Sequence, residues 1–277
     1  MSFRYFEEII RRGIMLALAL IPGLVLLFAV WKLDTVEKES PILLAKLFAA
    51  GVVVMLADVL IRTLGLKLLE SSYDGTAILF YTFLDAFILT ALIEEGGRFI
   101  VLKLITWKDK EFNYTFDAVV YSVAVSVGFL ICENIVLMIK YGPDIRPASL
   151  LLPLFAQLVI SVFMGYFYGL AKVAESKGEL KNKKLHMCEA VLIPVVIHGI
   201  YEMCVKSDSV VFYIIFAVYM VAMTVAAVVI FCILRKGDSQ IEWGTTDMQE
   251  GDGFEINVTS LLHGKEESEG KEAGDES

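Results

Sequence analysis

Seven long apolar runs, at roughly 14–32, 42–62, 76–104, 116–139, 149–172, 189–205 and 209–234, restrict this chain to one kind of fold. Each spans about 17–29 residues, enough to cross about 30 Å of hydrocarbon as a helix. Bilayer hydrocarbon offers no water to backbone N–H and C=O groups, so a spanning segment must satisfy them internally. Runs of this length do so as α-helices. The expected class is therefore all-α: a polytopic helical bundle of about seven transmembrane helices in a lipid bilayer. The composition agrees, with 57% apolar residues and a mean hydropathy of +0.68. The charged residues crowd into short stretches between the runs.

The expected division is a bundle at 1–236 and an acidic, disordered tail at 237–277. Gly237 to Ser277 holds 12 acids and two bases, so the formal charge of −9 is set by the tail. Such a composition buries too little apolar surface to offset the entropy of ordering. The acidity is thus no guide to a substrate, and no basic stripe marks a nucleic-acid partner. The first run has an Arg-flanked start but no small-residue cleavage site, and reads as a retained helix. The third is long, with a tilt or break expected near Gly96-Gly97. The run at 189–205 is the shortest. Lys177, Lys181, Lys183 and Lys184, with Arg235 and Lys236, place their loops and the tail in the cytoplasm by the positive-inside rule. The chain is then a multi-pass protein of the plasma membrane with its N-terminus outside, although Arg4, Arg11 and Arg12 oppose that orientation. Cys132, Cys188, Cys204 and Cys232 form no C-x-x-C pair and read as small buried hydrophobes.

Three polar clusters interrupt the apolar runs: Glu94-Glu95-Gly96-Gly97-Arg98, Glu133-Asn134 and His198-Gly199-Ile200-Tyr201-Glu202. An ionisable side chain at membrane depth costs at least about 2.5–3.5 kcal/mol on insertion scales, so several in separate helices imply a buried polar site. Carboxylates, an amide and one imidazole are the residue types of a metal-dependent hydrolase. Arg98 stands three and four residues after the two glutamates and can reach back to either. One glutamate is then neutralised while the other binds metal or acts as general base. The bland alternative, a self-neutralising charge cluster at a helix end, conflicts with the depth of Glu94 in its run. His198 and Glu202 are four apart and share a helical face, which suits two ligands or a ligand and the acid that orients it. Glu133 is a ligand or an outer hydrogen-bonding partner, Asn134 its companion, with a plain interhelical bridge as the alternative. Ser126 and Phe129 precede Glu133 on the same helix. Asp117 stands about 24 Å from Glu133 along a straight helix, outside the site. Asp58 is placed to pair with Arg62. Asp85 is nine residues before Glu94, on the opposite face of a regular helix, and has no assigned role.

At these residues the chain resembles the PrsW family of intramembrane metalloproteases, related to the CAAX prenyl endoprotease group. The resemblance covers roughly residues 14–234. It includes Asp34 with Glu37-Lys38-Glu39-Ser40-Pro41, Phe48 and Gly51, Glu94-Glu95-x-x-Arg98, Asp117, Gly128-Phe129 with Glu133-Asn134, Met164 to Gly169, and His198-Gly199-x-Tyr201. It implies proteolysis within or beside the membrane with zinc as cofactor, and a membrane-protein substrate such as an anti-sigma factor. By resemblance, Glu94, Glu95 and His198 occupy catalytic positions. Two positions depart from the family pattern: Gln157 stands where a histidine is usual, and Glu202 where the last motif usually ends in Asp. An amide oxygen is the poorer zinc ligand, so the ligand set Glu94, Gln157, His198 and Glu202, with Arg98, Glu133 and Asn134 around it, is an altered one.

Three readings follow from the residues together with this resemblance. The first is an intramembrane metal-dependent endopeptidase with Glu94 or Glu95 as base or ligand, His198 as a ligand, and Gln157, Glu133 and Glu202 completing or orienting the site. The second is a catalytically degenerate protease-like membrane protein that acts as a binding partner or regulator. The third is a small transporter using the buried acids as a proton relay, against which the halves show no inverted repeat.

Overall fold

A computed structural model of the chain describes residues 2–241 apart from 35, 74, 143, 144 and 208. The acidic tail from 242 onward lies outside the described residues. Eight α-helices and one π-helical segment follow in order: α1 (Ser2–Leu33), α2 (Pro41–Ser72), α3 (Ile78–Phe83), the π segment (Leu84–Leu92), α4 (Ile93–Thr106), α5 (Asp117–Tyr141), α6 (Pro147–Ser176), α7 (Leu180–Lys206) and α8 (Val210–Lys236). The protein is an all-helical polytopic bundle. Among the described residues, six helices are individually long and apolar enough to cross a membrane. The expected third run is the stack of α3, the π segment and α4.

Centrally placed α5 packs against α2, α6 and α1. Every residue from Asp117 to Cys132 is buried, which is why its sequence is apolar all round rather than striped. Lipid tails are as apolar as leucine, so close packing rather than hydrophobic burial holds such helices together. Small residues permit it. A Cβ on Gly128 would fall 2.0 Å from the Phe48 carbonyl oxygen, and one on Gly51 2.0 Å from that of Val125. Paired glycines thus set the α2–α5 distance. By contrast α8 buries only Ala227 and Leu234 and turns a broad apolar face outward.

Several expectations need correction. The third run is not broken at Gly96-Gly97, which lie in regular α4. Its irregularity is the π segment just before, and Gly97 serves instead to admit the Val54 side chain. The shortest expected run is a full helix of 27 residues, α7, because residues 180–188, with Lys181, Asn182, Lys183, Lys184 and His186 among them, extend it. Cys132 and Cys204 are buried, but Cys188 and Cys232 are exposed on the outer faces of their helices. The ordered bundle also continues past Lys236. Asp238 Oδ1 accepts hydrogen bonds from the Phe116 amide at 3.0 Å and Thr115 Oγ1 at 3.1 Å. The Ile241 amide donates to the Asn113 carbonyl, and Ile241 is itself buried.

Candidate active site

The two glutamates emerge at the junction of two helix types. In the π segment, i→i+5 bonding widens each turn. That widening removes the half-turn offset a regular helix would put between Asp85 and Glu94. Asp85 and Glu95 consequently both meet α7: Asp85 through Lys206 at 3.0 Å, Glu95 through His198 at 2.7 Å. Gly199 makes this approach possible, since a Cβ there would lie 2.3 Å from the Phe87 ring.

Arg98 is the organising residue. Its side chain and that of Glu95 are both 0% exposed. It pairs with Glu95 through Nη2 and donates through Nη1 to Gln157 Oε1. Glu94 Oε2 stands 3.7 Å from Nη2 and Ser126 Oγ 3.4 Å from Nη1. The guanidinium lies over the Phe129 ring, 4.9 Å from its centroid, a favourable placement for a desolvated cation. A buried charge without partners would cost several kcal/mol. Four helices supply partners here: α4, α5 and α6 directly, and α7 through Glu95.

His198 Nδ1 bonds Glu95 Oε1 at 2.7 Å and lies 4.0 Å from Glu94 Oε2, while Nε2 faces Glu202 Oε1 at 3.9 Å. Glu202 continues to Lys206 at 3.1 Å, and Lys206 to Asp85 and to Thr90 Oγ1, both at 3.0 Å. Arg62 reaches Asp85 at 4.0 Å. A polar chain therefore runs from Glu95 along α7 to Lys206. Glu133 is half-buried and senses the same charges, chiefly Glu202, His198 and Arg98.

Of the residues singled out in the sequence, Glu94, Glu95, Arg98, Gln157, His198, Glu202 and Glu133 are drawn into one region. Asn134 is not. It turns the other way, donating to the carbonyls of Ala19 and Leu150 at 3.3 Å each, and so ties α1 to α6 as an interhelical bridge. Asp58 does not form the expected pair with Arg62. It is buried with Oδ1 unpartnered, its main charged neighbours being Arg62, Arg98 and His198. The sequence reading missed Lys206 and the role of Asp85. Lys206 had a signal, since it extends the four-residue ladder from His198 through Glu202. Asp85 had none, because nothing in the sequence announces the π segment.

A second polar cluster lies apart from the first, at the end of the bundle where the α1–α2 loop meets the start of α5. Donor oxygens of Asp34, Glu39 and Asp117 all lie within 4.8 Å of one another, and all three residues are buried. It is the one group of three or more Asp, Glu, His or Cys residues this compact among the described residues. Burial, helped by the charge of Asp238, pushes the Asp34 carboxyl up to about 6. Burial likewise raises Glu39 to about 7, opposed by hydrogen bonds from Tyr121 and Asp117.

A sequence model of the PrsW family of intramembrane metalloproteases matches residues 39–230. Proteins named Protease PrsW are similar over most of that region. The one from Geobacillus kaustophilus is 28% identical over 181 residues, 65% of this chain and 75% of the relative. That from Bacillus subtilis is 27% identical over 188 residues, 68% and 81% respectively. That from Clostridioides difficile is 28% identical over 191 residues, 67% and 76%. No solved structure matches the chain. The match takes in α2 through most of α8, and with them Glu94, Glu95, Arg98, Gln157, His198 and Glu202. This multi-pass membrane protein belongs to the PrsW family of intramembrane metalloproteases.

Proposed function

We propose that the protein is a zinc-dependent endopeptidase that cleaves a membrane protein within or beside the bilayer, an anti-sigma-factor-like substrate being the kind the family resemblance implies. The observation that carries this reading is Glu95. It is fully buried, shares Oε1 between Arg98 and His198, and leaves Oε2 without a partner. A structural ion pair would satisfy both oxygens.

The chemistry of the donor set fits a zinc ion. His198 Nε2 makes no close hydrogen bond, Glu95 Oε2 is free, and Glu94 and Glu202 flank them. Imidazole nitrogen and carboxylate oxygen are ordinary zinc donors. When bound, the ion supplies Lewis acidity and lowers the pKa of water toward about 7. The remaining work falls to this chain's own residues. Arg98 supplies the counter-charge that a buried Glu95 carboxylate needs. The Glu95 carboxylate fixes His198 through Nδ1 and so presents Nε2. Glu94, less tightly held by Arg98, is the better placed of the two to accept a proton from water. Gln157 spends its carbonyl oxygen on Arg98, which makes it a positioning residue for the guanidinium rather than a ligand.

One observation favours the second reading, a protease-like regulator without catalysis. His198 is the one imidazole among these residues, and three donors of this site do not converge as those of Asp34, Glu39 and Asp117 do. Metal content and cleavage separate the two. The purified protein in detergent is expected to hold about one zinc per chain, to lose it in His198→Ala, and to cleave a reconstituted membrane-protein substrate. A folded, zinc-free protein that cuts none of a panel of single-span membrane proteins would select the regulator. Gln157→His tests the remaining assignment. A positioning role predicts no gain in zinc retention, whereas a ligand role predicts tighter retention.

A further inference from the structure

We infer that Asp34, Glu39 and Asp117 form a second cation site, taking a hard divalent ion of the Mg2+ or Ca2+ class and pinning the α1–α2 loop to the start of α5. It is independent of the protease reading and shares no residue with the Glu94–His198 region.

The cluster is built, not incidental. Asp34 is 1% exposed, and neither of its carboxylate oxygens makes a hydrogen bond of good geometry, the Val36 amide giving only weak support. One of these oxygens lies within 4.8 Å of an oxygen of Glu39 and of an oxygen of Asp117. Leaving a buried acceptor unpaired costs about 1–3 kcal/mol, and more for a charge. The neighbouring bases do not fill the gap. Lys38 Nζ is committed to backbone carbonyls of Trp31, Lys32 and Asp34 itself, closing the C-terminus of α1. Arg235 donates to the Leu33 carbonyl at 3.1 Å.

The other two acids are held in place. Asp117 Oδ2 accepts from the Asn113 and Tyr114 amides at 3.0 and 2.7 Å. Glu39 Oε2 accepts from the Tyr121 hydroxyl at 2.6 Å, and the Glu39 carbonyl from Trp31 Nε1 at 3.0 Å. Glu39 and Asp117 also share a side-chain hydrogen bond with each other, whose proton a bound cation would displace. Further acids surround the cluster, and each is occupied elsewhere: Glu37 with Asn113, Glu111 with the Ser40 amide, and Asp238 with Phe116 and Thr115. Local charge is thus strongly negative. Three carboxylates with no nitrogen or sulfur donor select a hard, oxygen-preferring cation with water in its remaining positions.

The test is ion-dependent thermal stability of the full chain in detergent, after chelation and readdition of Mg2+ or Ca2+ alone. Wild type should gain about 5 °C or more at an ion concentration one hundred times the Kd. Asp34→Asn and Glu39→Gln should lose that gain, while His198→Ala keeps it. A larger response to one ion names the physiological one. No response to either ion overturns the proposal and leaves the carboxyls holding protons. A response that survives Asp34→Asn, or that disappears in His198→Ala, overturns it by placing the ion elsewhere. Should the acid variants fail to fold, Tb3+ emission reads the site in wild type. Tyr121 and Trp31 both touch Glu39 and should sensitise it. Ca2+ should quench the emission, and the double variant Tyr121→Phe/Trp31→Phe, which keeps all three carboxylates, should lose most of it. Emission that is absent in wild type or unchanged in the double variant overturns the proposal.

Discussion

The two polar clusters solve the burial of charge in opposite ways. Around Arg98 the carboxylates of Glu94 and Glu95 face a fixed cation, stacked on Phe129 and held by Gln157 and Ser126. Around Asp34 three carboxylates converge while the nearby Lys38 and Arg235 are spent on main-chain carbonyls. One site carries its own counter-charge. The other must take its counter-charge from solution, as a cation or as protons. The contrast shows that a count of acidic residues says little about a site until the bases nearby have been followed to their partners.

The largest expected effect is on catalysis. Glu95→Gln removes the charge that Arg98 and His198 share, and cleavage of a membrane substrate should fall by about 100-fold, the upper end of the loss when the partner that orients a metal-binding histidine is removed. The melting temperature should fall, but by less than in Arg98→Met, because the Glu94 carboxylate remains 3.7 Å from the guanidinium. Unimpaired cleavage by both Glu95→Gln and Glu94→Gln would remove the catalytic assignment.

Next comes Arg98→Met, which leaves Glu94 and Glu95 without their cation. A broken buried pair costs about 3–5 kcal/mol, read as a fall in melting temperature. Adding Glu95→Gln should recover much of the loss, since the orphaned charge then disappears. If the double variant is no better than Arg98→Met alone, the pair is not the source of the cost. Lys38→Met at the other cluster should cost less, because its partners are carbonyls rather than the acids.

A smaller effect distinguishes site from scaffold. Asn134→Leu removes two interhelical hydrogen bonds, worth about 1–2 kcal/mol in a membrane bundle. It should lower stability and spare cleavage per folded molecule. A selective loss of cleavage would return Asn134 to the site.

The smallest effect lies at the C-terminus. Truncation after Ile241 should leave the melting temperature unchanged. Truncation after Lys236 removes the Asp238 contacts to Thr115 and Phe116 and should cost about 1 kcal/mol. Equal behaviour of the two would return the end of the bundle to Lys236.

Much of the helical-interior site was legible because it obeys helical spacing. Glu95 with Arg98, and His198 with Glu202, fall three or four residues apart, and isolated charge in an apolar run draws notice by its cost. Gln157 stood out as a large polar group in such a run, but its partner Arg98 is 59 residues away in the chain and no local rule links them. Asn134 was misplaced because adjacency to Glu133 does not mean a shared face: successive helical residues point about 100° apart.

By itself, the sequence determined that the chain spans a membrane as helices and that ionisable groups sit at depth within it. Those follow from run length and from solvation energies that belong to each residue singly. Only the tertiary structure decided the phase of α3–α4, where the π segment turned Asp85 toward Lys206. It alone also brought Asp34, Glu39 and Asp117 together from a loop and a distant helix end. The physical reason is the same in both cases. Contacts between helices depend on how the backbones approach, and here that approach is set by glycines such as Gly51, Gly128 and Gly199 meeting residues far away in the chain.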